Sequence, residues 1–239
     1  MIGGFNHPPF FLSKIYFRFR YIYMRVKISV PNDLSEIKLW QYQKFLKIQE
    51  ENTDENFLAS KMIEIFCGIE LKDAYKMKAK DVHRITNILA DMFEQKPQLK
   101  NRFTMNGVEY GFIPNLDDMS LGEYVDLDTY LSKWEEIEKA MAVLYRPIEN
   151  IHKQKYSIEE YKAEGQEAYK DMPMSVVFGA MFFFYRLGID LSRVMTVYLE
   201  QNKETPSQEF RSLGKSGDGI NQFLHSLKGI LDDLSISLD

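Results

Sequence analysis

Acidic side chains between residues 117 and 128 are the first candidates for chemistry in this sequence. Four aspartates lie in this stretch: Asp117, Asp118, Asp126 and Asp128. Carboxylate oxygens are the ligands that hard cations such as Ca²⁺ prefer, but the spacing does not match the Asp-x-Asp-x-Asp-Gly…Glu pattern of a calcium loop. Asp117 and Asp118 also precede a predicted helix, where negative charge stabilises the N-terminus. We therefore predict no metal site here.

An enzyme would need a site assembled from dispersed residues. The best such set would place Asp117, Asp118 and Glu123 in one pocket with shifted pKa values. The four histidines are scattered without a metal-binding spacing: His7, His83, His152 and His225. The segment GKSGDG at 214–219 lacks the spacing of a phosphate loop, because Glu209 stands where the first glycine is required. We predict a non-enzymatic protein without a cofactor.

The single cysteine also argues against reaction chemistry. Cys67 follows the apolar stretch 62–66 at the end of a predicted helix. A free cysteine in such a position commonly packs as a small hydrophobic residue, and we expect that role here and not that of a nucleophile. One cysteine also excludes an internal disulfide framework.

Size and charge limit the class of protein further. The chain has 239 residues, of which 45% are hydrophobic and 27% charged, as in ordinary globular proteins. This length fits one large domain or two small ones. The net charge is −5, which disfavours a general nucleic-acid binder, because phosphate contacts require clustered cations.

The acidic stretch is preceded by two short runs in which apolar and polar residues alternate, and these runs must position it. They span 102–105 and 108–113 and are joined by Asn106-Gly107, which is the strongest short-range signal for a β-hairpin. Pro114 then ends the second run, because proline cannot donate to a sheet ladder. The acidic stretch therefore follows directly after a hairpin strand.

A helix is predicted immediately after the loop. Ser120 and Glu123 have the spacing of a capping box, in which each side chain accepts a hydrogen bond from the other residue's backbone N–H. Four apolar residues recur at helical spacing and are expected on one face of this helix: Leu121, Tyr124, Leu127 and Leu131.

A similar junction stands earlier in the chain. The segment beginning VPNDLSEIKLWQY at Val30 resembles IPNLDDMSLGEY at Ile113 when one residue is skipped. Two interpretations are open: an internal duplication, or convergence of two strand-to-helix junctions on the same turn residues. Both predict two strand-to-helix units that share one sheet.

Helices account for most of the remaining pattern. The stretch Met174–Tyr185 carries twelve residues without a charge, which is too short for a membrane span and typical of a buried core helix. We expect Pro173–Leu199 to be the central helix, with Pro173 as its first residue. Ser157 and Glu160 form a second capping-box spacing and predict a short helix from Ile158.

These elements predict an α+β fold that is mostly α-helical. Its helices pack on a small antiparallel β-sheet, made from an N-terminal strand at 26–30 and the Asn-Gly hairpin. We divide the chain into an N-terminal extension (1–23), a single α+β domain (24–200), a flexible linker (201–219) and a C-terminal amphipathic helix (220–239). The linker is indicated by its Gly, Ser and Pro content.

The N-terminal extension differs in composition from the rest. Residues 1–23 contain eight aromatic residues, three cations and no acidic residue. One interpretation is an upstream extension that precedes a translation start at Met24, and the other is a basic aromatic segment that touches a membrane surface.

The C-terminal segment carries an apolar stripe at spacings of three and four. The candidate partner-binding residues are Phe223, Leu224, Leu227, Ile230, Leu231 and Leu234. Two interpretations are open: a helix that folds back on its own domain, and a helix that binds a groove in a partner or in an oligomer of this chain.

A family resemblance rests on several of these motifs. The stretch FIPNLDDMSLGEYVDLDTYL (112–131) resembles a group of tailed-bacteriophage proteins, including those of marine and crAss-like phages. The segments AMAVLYRP (140–147), YSIEEY (156–161) and FFFY (182–185) are also similar, and the resemblance covers roughly residues 26–199.

The resemblance implies a protein from the structural or morphogenesis region of a phage genome. The acidic, helical character is similar to tail assembly chaperones, which sheathe the hydrophobic tape-measure protein. It implies a non-enzymatic virion-assembly protein, either chaperone-like or a minor virion component, located in the host cytoplasm or the virion. The alternative is a regulatory or adaptor protein that binds a host or phage protein through the C-terminal helix.

Overall fold

The computed structural model describes residues 16–20, 25–153 and 155–201 of the chain. The predicted C-terminal helix and most of the predicted linker lie outside these residues. The candidate partner-binding residues therefore lie outside them as well: Phe223, Leu224, Leu227, Ile230, Leu231 and Leu234.

Helices dominate the described residues. The α-helices are α1 (Leu39–Glu51), α2 (Glu55–Cys67), α3 (Leu71–Ala74), α4 (Ala79–Phe93), α5 (Leu121–Tyr130), α6 (Ile137–Leu144) and α7 (Met174–Gln201). The strands are β1 (Tyr16–Arg20), β2 (Arg25–Ser29), β3 (Arg102–Met105), β4 (Val108–Phe112), β5 (Tyr145–His152) and β6 (Lys155–Ile158). Short 3₁₀ turns precede α1, α5, α6 and α7.

The main sheet is antiparallel, with the strand order β3-β4-β5-β6. The predicted hairpin joins β3 to β4, with Met105 paired to Val108. Its turn has φ of 52° at Asn106 and 80° at Gly107, the two positive values that a type I′ turn requires. The α+β, mostly helical fold class is confirmed.

The composition of the sheet differs from the prediction. The N-terminal strand β2 pairs with β1, and not with the hairpin, so the two strand-to-helix units do not share one sheet. The position beside β4 is taken by β5, with Phe112 paired to Tyr145. Strand β5 follows α6 without a loop.

Strand β5 was not among the strands predicted from the sequence. In the structure Pro147 lies within β5, where its carbonyl accepts a hydrogen bond from the backbone N–H of Glu159 at 2.9 Å. The sequence prediction of a helix from Ile158 is also wrong, because residues 155–158 pair with β5 as strand β6.

Tyr156 connects β6 to β4. Its hydroxyl lies 2.7 Å from the carbonyl of Phe112, and its ring lies over Gly111. A Cβ atom at residue 111 would stand 2.4 Å from that ring, so only glycine permits the approach.

Helix α7 begins at a well-anchored junction. The backbone N–H of Met174 donates to the carbonyl of Ile37, and the N–H of Leu39 donates to the carbonyl of Met172, each at 2.8 Å. Pro173 precedes the helix instead of starting it. The apolar first half of α7 is buried, as the prediction of a central helix requires, with Val177 and Phe178 at its middle.

No helix among the described residues combines the length and the apolar content needed to cross a lipid bilayer.

Candidate functional site

The acidic stretch borders a cavity of about 460 Å³. The cavity lies where the loop after β4 and the start of α5 face β5 and the segment after β6. Its ionisable lining residues are Asp118, Glu123, Arg146, Glu159, Glu160 and Tyr161.

The start of α5 follows directly from its sequence. The backbone N–H of Ser120 donates to Oε2 of Glu123 at 2.7 Å, and the N–H of Glu123 donates to Oγ of Ser120 at 3.2 Å. The predicted capping box is therefore confirmed. It directs the Glu123 side chain inward towards β5.

Glu123 and Arg146 form a buried ion pair. Nη1 of Arg146 lies 2.8 Å from Oε1 of Glu123, and the two side chains are only 10% and 9% exposed. Burial alone would raise the pKa of Glu123, but the hydrogen bonds from Ser120 and the positive charge of Arg146 outweigh it and lower the pKa. The Glu123 carboxylate is therefore ionised at neutral pH.

The Nε–H group of Arg146 is buried and has no hydrogen-bond acceptor in the described part of the chain. Buried donors are nearly always paired in folded proteins, so an unpaired one calls for an explanation.

Tyr161 closes one side of the cavity. Its hydroxyl donates to Oδ2 of Asp126 at 2.7 Å and accepts from Nε2 of Gln166 at 3.0 Å. Burial and the neighbouring Asp126 carboxylate raise the pKa of Tyr161 well above its usual value. The phenol is therefore neutral and holds the loop after β6 against α5.

The four sequence-predicted aspartates do not converge. Asp118 lines the cavity, Asp126 bonds to Tyr161, and Asp117 and Asp128 are exposed. Asn115 caps the turn before α5, since its Oδ1 accepts from the backbone N–H of Asp117 at 3.2 Å. Among the described residues, no three acidic, histidine or cysteine side chains are arranged to hold a metal ion.

The arrangement does not resemble a pair of catalytic carboxylates. Of the proposed set Asp117, Asp118 and Glu123, only Asp118 and Glu123 reach the same cavity. A general acid requires a raised pKa near the working pH, whereas the pKa of Glu123 is lowered. The site is an acidic cavity lined by an arginine that is ion-paired to Glu123.

The expected packing role of Cys67 fits the structure. Burial raises the pKa of its thiol to about 12, so the thiol stays protonated at neutral pH. A nucleophilic cysteine requires the opposite shift.

The outer face of α5 was not recognised in the sequence. Leu127 and Leu131 are buried as expected, but Leu121 is 79% and Tyr124 51% exposed. Val125 is also 51% exposed, and these three residues stand at i, i+3 and i+4, on one side of the helix. Glu123 points inward towards β5, and Leu121 and Val125, two residues before and after it, lie on the opposite side of the helix.

A second apolar surface lies between α1, α2 and α4. It is a groove of about 540 Å³ with apolar residues from all three helices in its lining, among them Leu46, Leu58, Met62 and Phe93. Glu55 and Glu94 also line it.

No family model, curated protein or solved structure matches the chain. The fold and the site together define an α+β protein, mostly helical, with an acidic cavity beside an exposed apolar helix face.

Proposed function

We propose that this protein acts through protein–protein contacts in the assembly of a tailed-phage virion, as a tail-assembly-chaperone-like factor or a minor virion component. The observation that carries the proposal is the exposed apolar face of α5, formed by Leu121, Tyr124 and Val125. Exposed apolar clusters on a helix are typical of surfaces that bind other proteins.

The position of this face supports the proposal. Helix α5 lies within residues 112–131, the stretch that resembles phage proteins. The buried Glu123–Arg146 pair and the capping box hold α5 in place, so the apolar face is presented by a fixed helix and not by a loop. Because the helix is already ordered, binding of a partner to this face costs the protein little conformational entropy.

The charge around α5 also suits an assembly factor that must stay soluble. Residues 114–131 contain five acidic residues and no Lys or Arg. Negative charge beside an apolar patch limits non-specific association while leaving the patch available to a partner.

A second candidate function is a regulatory or adaptor protein that binds a host or phage protein. The apolar groove between α1, α2 and α4 favours it, because such grooves accept amphipathic helices. The two candidates differ in whether the bound protein belongs to the virion.

The test is a pull-down of the tagged protein from infected cells, analysed by mass spectrometry beside the protein content of purified virions. Recovery of the tape-measure protein without presence in particles would support a chaperone. A fixed copy number in particles would support a virion component. Recovery of a non-virion protein alone would favour the adaptor, and absence from both would contradict the assembly proposal.

A further inference from the structure

The groove between α1, α2 and α4 leaves apolar side chains partly uncovered. Its lining includes four large apolar residues that are only half-buried: Leu46, Leu58, Met62 and Phe93. By contrast Leu89, which lies on the core side of α4, is fully buried. A groove of about 540 Å³ with such a lining accepts an amphipathic helix through apolar residues at i, i+3, i+4 and i+7.

The C-terminal segment carries apolar residues at this spacing. Leu224, Leu227 and Leu231 stand at i, i+3 and i+7, and in the helix that the sequence predicts they span about 10 Å. The lining contributed by α1 runs from Tyr42 to Gln49, which is also about 10 Å along that helix. The apolar stripe and the groove therefore match in length.

The charges of the groove and of the segment are complementary. Glu55 and Glu94 line the groove, and no Lys or Arg is recorded in its lining within the described part of the chain. At 100° per residue, Lys228 lies directly beside the apolar stripe, whereas Asp232 and Asp233 fall on the other side of the predicted helix. A segment seated by its stripe would therefore bring a cation to the acidic groove and keep its own carboxylates away from it.

The chain is long enough for this segment to return to the groove. The ring of Phe178 in α7 lies 5.5 Å from the ring of Tyr42, which lines the groove. Gln201 ends α7 about 35 Å further along the helix, at 1.5 Å per residue. Residues 202–219 can extend over about 60 Å, which exceeds this distance. A tether of this kind gives the segment an effective concentration on the order of millimolar at the groove, so even a weak contact is populated.

We propose that the groove between α1, α2 and α4 is the docking site of the chain's own C-terminal segment, residues 220–234. Leu224, Leu227 and Leu231 cover the apolar lining, and Lys228 faces the glutamates. The inference does not depend on the assembly role and goes beyond it. An amphipathic helix of another protein would have to displace this segment before it could occupy the groove.

The direct test is paramagnetic relaxation enhancement by NMR in the full chain. A nitroxide is attached at Ser226→Cys, and Cys67→Ala removes the native thiol. The amide signals of Ala59 and Ala90, which line the groove, should lose most of their intensity and regain it when the nitroxide is reduced.

Two double variants of the labelled chain provide the matched comparison. Leu227→Asp with Leu231→Asp places two carboxylates in the stripe and should abolish the broadening, because a charged group is costly to bury against apolar side chains. The same variant should have a lower melting temperature. Gln222→Asp with His225→Asp adds two carboxylates on the other side of the predicted helix and should leave both the broadening and the melting temperature unchanged.

A mixed sample separates the chain's own segment from that of a second copy. Nitroxide-labelled chain without isotope is mixed with isotope-labelled chain without nitroxide, and the groove signals should then keep their intensity. Broadening in the mixed sample would assign the groove to a second copy and overturn the inference. Intact groove signals in the singly labelled chain, or equal broadening in the two double variants, would also overturn it. None of these results depends on whether the protein recovers a virion component, so the assembly role stands or fails separately.

Discussion

Glu123 joins the start of α5 to β5 through one carboxylate. Oε2 accepts a hydrogen bond from the backbone N–H of Ser120 at the start of α5. Oε1 forms an ion pair with Arg146, which lies on β5. The helix carrying the exposed apolar face is thereby fixed to the main sheet. The role of this residue is to position α5.

Replacing Glu123 by Gln tests this role. Gln keeps the capping hydrogen bond but leaves the Arg146 charge buried without a partner. Breaking one side of a buried ion pair costs about 3 kcal/mol or more, so urea unfolding should show a loss of that size. Glu135→Gln, at an exposed position, should change the unfolding free energy by less than about 0.5 kcal/mol. Equal effects of the two substitutions would contradict the role.

The same pair predicts how stability depends on pH. The folded pKa of Glu123 is lowered, so its contribution is complete above the unfolded value, about 4.3. It is lost as the pH falls from about 4.3 through the folded pKa. The unfolding free energy of the wild type should therefore decline more steeply than that of Glu123→Gln in this window. Parallel pH profiles would show that the pair does not contribute.

The capping box was predictable from sequence because its two partners are three residues apart. The partnership with Arg146 was not, because Arg146 lies on β5, a strand that the sequence analysis did not predict. The link between them became visible only when β5 was placed beside β4. Local spacing therefore predicted the capping box of Ser120 and Glu123 but not the ion pair with Arg146.

At the scale of elements, α7 packs closely against the segment before β3. A Cβ atom at Gly179 would lie 2.6 Å from the backbone carbonyl oxygen of Gln98. Gly179→Ala must therefore displace backbone, and overpacking of this kind costs about 1–3 kcal/mol. Differential scanning calorimetry should show a lower melting temperature for this variant.

Gly122 provides the matched control for that substitution. It lies in the first turn of α5, and a Cβ atom there would have no neighbour within 4 Å. Gly122→Ala should leave the stability unchanged or raise it by up to about 1 kcal/mol. A similar response of the two alanine variants would show that α7 does not pack as described.

The elements with strong local signals were predicted well. Asn106-Gly107 defined the hairpin, and the run from Met174 defined the buried half of α7. Strand β6 was read as a helix because Ser157 and Glu160 have capping spacing. In the structure this strand pairs with β5, and its Tyr156 packs against the distant Gly111, a contact that no local pattern contains.

At the scale of the whole molecule, the C-terminal amphipathic segment stays a prediction from sequence. Leu227→Asp with Leu231→Asp should leave the melting temperature unchanged and reduce partner recovery if this segment binds another protein. A lower melting temperature would instead show that it folds back on its own domain. Thermal melts and pull-downs of the same variant distinguish the two.

The central claim is that the outer face of α5 binds a virion-assembly partner. The most direct measurement compares pull-downs from infected cells for the wild type and for Leu121→Ser with Val125→Ser. Both positions are exposed, so the variant should fold normally, as a thermal melt would confirm. We expect recovery of the virion component to fall by about tenfold. Full recovery by this variant, equal to that of the wild type, would contradict the claim.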